Sequence, residues 1–276
     1  MTRDLNHPGL YLGTSSWSSE DWEGVFYPEG TQPSDYLAFY AGRYRTVEVD
    51  ATFYRAPSPA MTKKWRSALP EEFVMAAKVP RTITHDKVLV DCEDELNEFL
   101  SAMENLGDRL GPMLFQFPYH NKASAITEQS FLARLRGFLP KLPRSHRFAV
   151  EIRNKGWVKP ALLDLLREHE VAFAMIDHPW MPRVDQLMAN VEKLDPITAK
   201  FTYVRWLGDR KGIEQRTKSW DKLIVDRTSE MERWVPAIRE LLKRNVTVYG
   251  YFNNHYAGHA PGSIALFEKV WEEDAG

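Results

Sequence analysis

The hydrophobic pattern switches repeatedly between two periods. Eight short apolar runs read as strands: Leu10–Ser15, Arg45–Asp50, Phe73–Val79, Met113–Phe117, Arg147–Arg153, Val171–Asp177, Phe201–Trp206 and Val246–Asn253. They are rich in Val, Ile, Phe and Tyr, and several are apolar enough to be buried on both faces, as parallel strands are. Helical spacing fills the intervals. Pro33-Ser34 opens a stripe of Tyr36, Leu37, Tyr40 and Ala41, and Pro59 opens one of Met61, Trp65 and Leu69. Glu93–Leu106, a segment from Thr127, a segment from Pro160 and a weak one over Val184–Lys193 follow. Ser229 and Glu232 have capping-box spacing before the stripe Met231 to Leu242, within which Pro236 predicts a kink or restart. Pro261 precedes the last helix. The connection Leu207–Thr228 is the longest, and loops of that length are usually functional or carry their own structure.

Strict strand–helix alternation predicts an α/β fold, a single TIM-like (β/α)8 barrel over residues 1–276, irregular around the sixth helix. A doubly wound open sheet is the competing architecture. Gly13-Thr14-Ser15-Ser16-Trp17 has one glycine where a dinucleotide fingerprint needs several, which argues against that site.

Composition narrows the class. Hydrophobic residues are 43% and charged residues 27% of 276, which excludes a disordered or collagen-like chain. With 36 Lys and Arg against 38 Asp and Glu, no global field favours nucleic acid or an anionic membrane. Cys92 is the single cysteine, which excludes an intramolecular disulfide and a Cys-rich zinc site, and it reads as structural. Met1–Pro8 is polar, with no signal-type apolar core, and Val171–Ile176 is far too short to span a bilayer. The expectation is a soluble cytoplasmic protein with no membrane partner and an oligomeric state left open.

The informative residues stand at the strand ends, where barrel enzymes carry their chemistry. In strand order they include Trp17; Glu48 and Tyr54; Lys78, Arg81 and His85; Gln116; Glu151, Arg153 and Trp157; Asp177; Arg205; and Asn253 with Asn254. Charges inside strands cost desolvation unless paired, so either a buried ion network or a functional site accounts for them. Glu48, Glu151, Asp177 and Lys78 are the candidate catalytic groups, with Glu48 and Glu151 as the acid/base pair. Arg81, Arg153 and Arg205 supply bidentate geometry for an anion. Trp17, Tyr54, His85, Gln116, Trp157, Asn253 and Asn254 complete the candidate substrate-binding set. No HxH or HExxH spacing occurs, so no cofactor is assigned, and a metal ion is the lesser option.

Seven ordered segments resemble the domain-of-unknown-function-72, or YecE-like, family. They are Gly13–Trp17 with Trp22 and Phe26-Tyr27-Pro28, Val47–Tyr54, Lys78–His85, Leu114–Pro118, Glu151–Arg153 with Trp157, Tyr203–Gly208, and Tyr251–Asn254. The resemblance runs from about residue 10 to 270. It implies a TIM-like barrel and brings no reaction with it. Ser16 stands where many members carry glycine, and Asp50 where many carry asparagine.

Three functions fit these residues. One is an enzyme, hydrolase or lyase, acting on a small phosphorylated or glycosidic anion at the barrel mouth. Another is a nucleic-acid-binding or -processing protein, using stacking aromatics and the basic Asp209–Lys222 loop. The third is a non-catalytic barrel that binds a metabolite.

Overall fold

A computed structural model describes residues 7–274, so the first six residues of the polar Met1–Pro8 stretch lie outside it. Eight parallel strands, β1 (Leu10–Thr14), β2 (Thr46–Val49), β3 (Val74–Lys78), β4 (Leu110–Gln116), β5 (Phe148–Glu151), β6 (Ala172–Asp177), β7 (Phe201–Trp206) and β8 (Thr247–Phe252), form one sheet in the order β1-β8-β7-β6-β5-β4-β3-β2. The sheet is nearly closed into a barrel. Between β1 and β2 a bridge, Ser15 with Glu48, stands in for a ladder. There the Ser16 N–H donates to the Glu48 carbonyl at 2.8 Å. Tyr40 completes the seam: its hydroxyl accepts the Thr14 N–H at 2.8 Å and donates to the Thr46 carbonyl at 3.2 Å. Gly13 is required at this seam, because a Cβ there would meet the Thr46 carbonyl oxygen at 2.2 Å.

The helices are α1 (Tyr36–Ala41), α2 (Pro59–Ala68), α3 (Glu93–Met103), α4 (Glu128–Phe138), α5 (Pro160–Glu168), α6 (Val184–Met188), α7 (Arg210–Glu214), α8 (Thr228–Lys243), α9 (Asn254–Ala257) and α10 (Ala260–Glu273). The long connection after β7 thus contains α7. The weak sixth segment is a helix of 5 residues. Two expectations about α8 are corrected. Arg227, not Ser229, is its N-cap residue, and no side-chain cap forms; the Thr228 N–H goes instead to Asp226. Pro236 does not restart the helix, which runs on through Lys243. Pro236 and Glu232 are both exposed, so water is at hand for the Glu232 carbonyl that loses its helical partner.

Two apolar layers hold the barrel. The larger lies between strands and helices. The smaller fills the barrel axis, where Ala76, Ala149 and Ala174 leave room that Tyr203, Tyr249 and Tyr251 occupy. Alternation along each strand then fixes what comes next. Lys78 is two residues past Ala76, Glu151 two past Ala149 and Arg205 two past Tyr203, while Glu48 pairs in register with Ala76. These four side chains face the axis at the C-terminal end.

Candidate active site

The floor of the mouth is a buried ion network. Arg205 from β7 donates through Nη2 to Glu48 Oε1 at 2.8 Å, through Nε to the same oxygen at 3.2 Å, and through Nη1 to Glu151 Oε2 at 2.9 Å. The other oxygen of Glu48 accepts the Tyr203 hydroxyl at 2.6 Å. The other oxygen of Glu151 lies 2.6 Å from Arg153 Nε. Glu48 and Glu151 are both 0% exposed and Arg205 is 3% exposed, so ion pairing offsets the desolvation cost, although Glu151 Oε1 and Arg153 Nε approach each other without the alignment of a hydrogen bond.

Asp50 and Lys78 sit on this floor. Asp50 Oδ1 lies 3.4 Å from Lys78 Nζ and 3.6 Å from Arg205 Nη2, and the Asp50 side chain is 29% exposed. The Lys78 ammonium stands over the Phe53 ring at 4.3 Å, and His85 meets Phe53 edge-on at 4.9 Å. The result is a continuous chain of charges, Lys78–Asp50–Arg205–Glu151–Arg153, from β3 across to the end of β5. With Glu48 it holds three carboxylates against three cations, so its formal charge is zero.

Environment tunes these groups. Burial pushes the Glu151 carboxyl up, but Arg153, Arg205 and Lys78 outweigh it and hold the group below its ordinary range. Burial, then Glu48, pushes the Tyr203 phenol well up, so it remains a hydroxyl donor. Burial and the cations Lys78 and Arg81 push the His85 imidazole down to about 4, which keeps it neutral at pH 7.

Beside the network lies an open groove of about 520 Å³, within the usual range of roughly 300–1,000 Å³ for small-ligand pockets. Arg153, Lys155, Trp157 and Trp180 line it, with Tyr119 at its edge. Trp180 is 68% and Tyr119 60% exposed, which is unusual for rings of this size. Trp157 is backed by His120, stacked at 5.6 Å and 12°. Arg153 Nε is ion-paired with Glu151 without the alignment of a hydrogen bond, and its terminal nitrogens bond no other group among the described residues.

The structure brings together Glu48, Lys78, Glu151, Arg153 and Arg205, with His85 against Phe53. Gln116 pairs in register with Glu151 and donates to the Phe117 carbonyl at 2.6 Å. Trp157 lines the groove. Other residues of the expected set lie elsewhere. Asp177 is the main correction. It pairs in register with Trp206 and points away from the axis, where Oδ2 accepts from Trp234 Nε1 at 2.7 Å and Tyr256 Oη at 3.1 Å. Asn254 turns into the helix layer, accepting from Trp22 Nε1 and the Ala260 N–H, and Asn253 caps α9. Arg81 pairs with Asp86 at 3.1 Å on the surface. Trp17 packs edge-on against Trp65, and Tyr54 is 75% exposed. Sequence reasoning left Asp50, Tyr203, Lys155 and Trp180 out of the site set. Strand parity points to Asp50 and Tyr203, which are two residues from Glu48 and Arg205.

The 209–222 connection packs down on the turn after β8. Glu214 lies 3.2 Å from His255 Nε2, and the Trp220 N–H donates to Asp21 at 3.1 Å. Among the described residues, no group of three or more His, Cys, Asp or Glu side chains is placed to hold a metal ion, and no helix is long and apolar enough to cross a membrane.

The comparisons agree with this architecture. A family model described as "Protein of unknown function DUF72" matches residues 11–276. UPF0759 protein YecE of Escherichia coli (strain K12) is 30% identical over 145 residues, 52% of this chain and 48% of that one. The chain thus spans about half the length of that curated relative. UPF0759 protein YunF of Bacillus subtilis (strain 168) is 24% identical over 274 residues, 91% of this chain and 90% of that one. Among solved structures, a DUF72 family protein from Thermotoga maritima MSB8 superposes with a TM-score of 0.72 at 28% identity, covering 95% of this chain and 99% of that one.

Proposed function

The chain belongs to the DUF72 family, a family of unknown function, and we propose that it is an enzyme of hydrolase or lyase type. Its substrate in this reading is a small phosphorylated or glycosidic anion bound at the C-terminal mouth of the barrel. The double engagement of Arg153 carries the reading. Its Nε is fixed 2.6 Å from buried Glu151 while the rest of the guanidinium fronts the groove. A guanidinium anchored from behind presents a pre-oriented fork to phosphate or carboxylate. The groove is lined by Arg153 and Lys155 and by no carboxylate, which favours an anion there. Trp157 and Trp180 cover the apolar or planar side of the ligand.

The proton chemistry falls to Asp50 and Lys78. Glu48 and Glu151 are buried and ion-paired, so their part in this reading is to fix Arg205 and Arg153. Asp50 is the carboxylate of the network that reaches solvent, and it acts as the base. Lys78 stabilises the negative charge that develops on the substrate.

The test is turnover of phosphorylated sugars and aryl glycosides by Asp50→Asn and Lys78→Met. Each variant is expected to lose about 100-fold or more in kcat while ligand still binds. Turnover unchanged in both would overturn the assignment. A substrate bound by the wild type without turnover would instead favour the metabolite-binding barrel.

A further inference from the structure

Asp177, which the mouth does not use, lines a separate cavity of about 290 Å³ between the end of β6, α6 and α8. The walls include Ile176, Met181, Val184 and Trp234. Asp177 Oδ2 is taken by Trp234 and Tyr256, whereas Oδ1 has no partner among the described residues. Of the three arginines that line the cavity, two are committed. Arg183 forms a two-point pair with Asp185 at 3.0 and 2.6 Å. Arg227 donates to Glu230 at 3.1 Å and to the Tyr256 carbonyl at 2.9 Å. Arg233 makes no ion pair or hydrogen bond among the described residues. His178 is the remaining titratable group, and burial holds its imidazole below the ordinary value, so it adds no cation at neutral pH. The cavity therefore presents one carboxylate oxygen and one guanidinium without a hydrogen-bond partner among the described residues, on a partly apolar wall.

We propose that this cavity binds a small zwitterion of amino-acid type, its ammonium on Asp177 Oδ1 and its carboxylate on Arg233. A ligand of this kind engages the open Asp177 oxygen and the unpartnered Arg233 guanidinium at once, which neither a simple anion nor a simple amine does. Burial pushes the Asp177 carboxyl above its usual value despite its two hydrogen bonds, so a bound ammonium would favour the charged form. The site has its own walls: none of the groove residues Arg153, Lys155 and Trp157 lines it, and the two adjoin where His178 of the cavity packs edge-on against Trp180 of the groove.

The experiment is a thermal-shift and calorimetric titration with the common L-amino acids, offered one at a time. Each amino acid that binds is then compared with its N-acetyl derivative and its decarboxylated amine. At least one amino acid is expected to raise Tm, with both analogues about tenfold or more weaker. Arg233→Gln lies on a half-buried surface position, so its unliganded Tm should hold while amino-acid binding falls by about the same factor. Asp177→Asn should lose the preference for a free ammonium, and Arg153→Gln at the mouth should bind as the wild type. No shift with any amino acid, equal binding of both analogues, or full binding by Arg233→Gln would overturn the proposal.

Discussion

Arg205 Nη1 donates to Glu151 Oε2 at 2.9 Å across the barrel axis, and the rest of the same guanidinium holds Glu48. One side chain from β7 thus ties β2 to β5, and it is the cation on which both buried carboxylates depend. Replacing it with methionine leaves two carboxylates in an enclosed site. Arg205→Met should lower the unfolding free energy in urea by about 3–5 kcal/mol. Arg205→Lys should recover only part of this, because an ammonium cannot reproduce the fork that spans both carboxylates.

The acid limb of the stability profile should follow Glu151. Its folded pKa is below the unfolded value, with Arg153 and Arg205 overriding burial. Its contribution is therefore complete above the unfolded value of about 4.3 and is lost as pH falls through the lower folded value. Urea unfolding from pH 7 down to pH 2 should show this loss below about pH 4. Glu151→Gln should be less stable at pH 7 and have a flatter acid limb. An identical slope in the variant would show that other carboxylates set the limb.

His85 should titrate near 4, measured by NMR of its ring carbons, because burial, Lys78 and Arg81 disfavour the imidazolium. The folded value lies below the unfolded value of about 6.5, so the unfolded chain takes up the proton first. Stability from this residue is complete above about pH 6.5 and declines as pH falls to the folded value. Lys78→Met should raise the His85 pKa by removing the cation with the larger effect on it. A midpoint near 6.5 in the wild type would contradict the geometry.

Ser16 has φ 81°, in the left-handed region that side chains avoid, immediately after β1. Its N–H bonds the Glu48 carbonyl, so the strained residue helps seat the strand that carries Glu48. Ser16→Gly should relieve the strain and stabilise the fold by about 0.5–1 kcal/mol, with the loss of the Ser16 Oγ bond to the Ser18 N–H reducing the gain. Ser16→Val should cost at least as much as glycine gains. Chemical denaturation measures both.

The barrel was legible because buried parallel strands and amphipathic helices differ in period, and both periods survive in this chain. Strand ends were legible to within a residue or two. The direction of individual side chains was less so. Asp177 and Arg205 both stand at strand ends, yet parity sends Asp177 toward Trp234 and Arg205 to the axis. That rule acts over two residues and was available from the sequence. The partnering was not, because Arg205 meets Glu48 across 157 positions. Proximity around a barrel is set by register, which no local pattern encodes. The same holds for Arg153. As a lone residue it reads as one more anion binder, and its anchorage to Glu151 with the rest of the fork fronting a groove emerges only in three dimensions. The helix α9 was missed because 4 residues are too few to show a helical period.

Binding of phosphorylated sugars to the wild type and Arg153→Gln, measured by calorimetry at two salt concentrations, tests the central claim most directly. At least one compound should bind the wild type, less tightly at high salt, and about tenfold or more weaker in the variant, with its unphosphorylated form bound poorly by both. Equal affinity in Arg153→Gln, or a preference for the unphosphorylated form, would contradict an anion seated on Arg153.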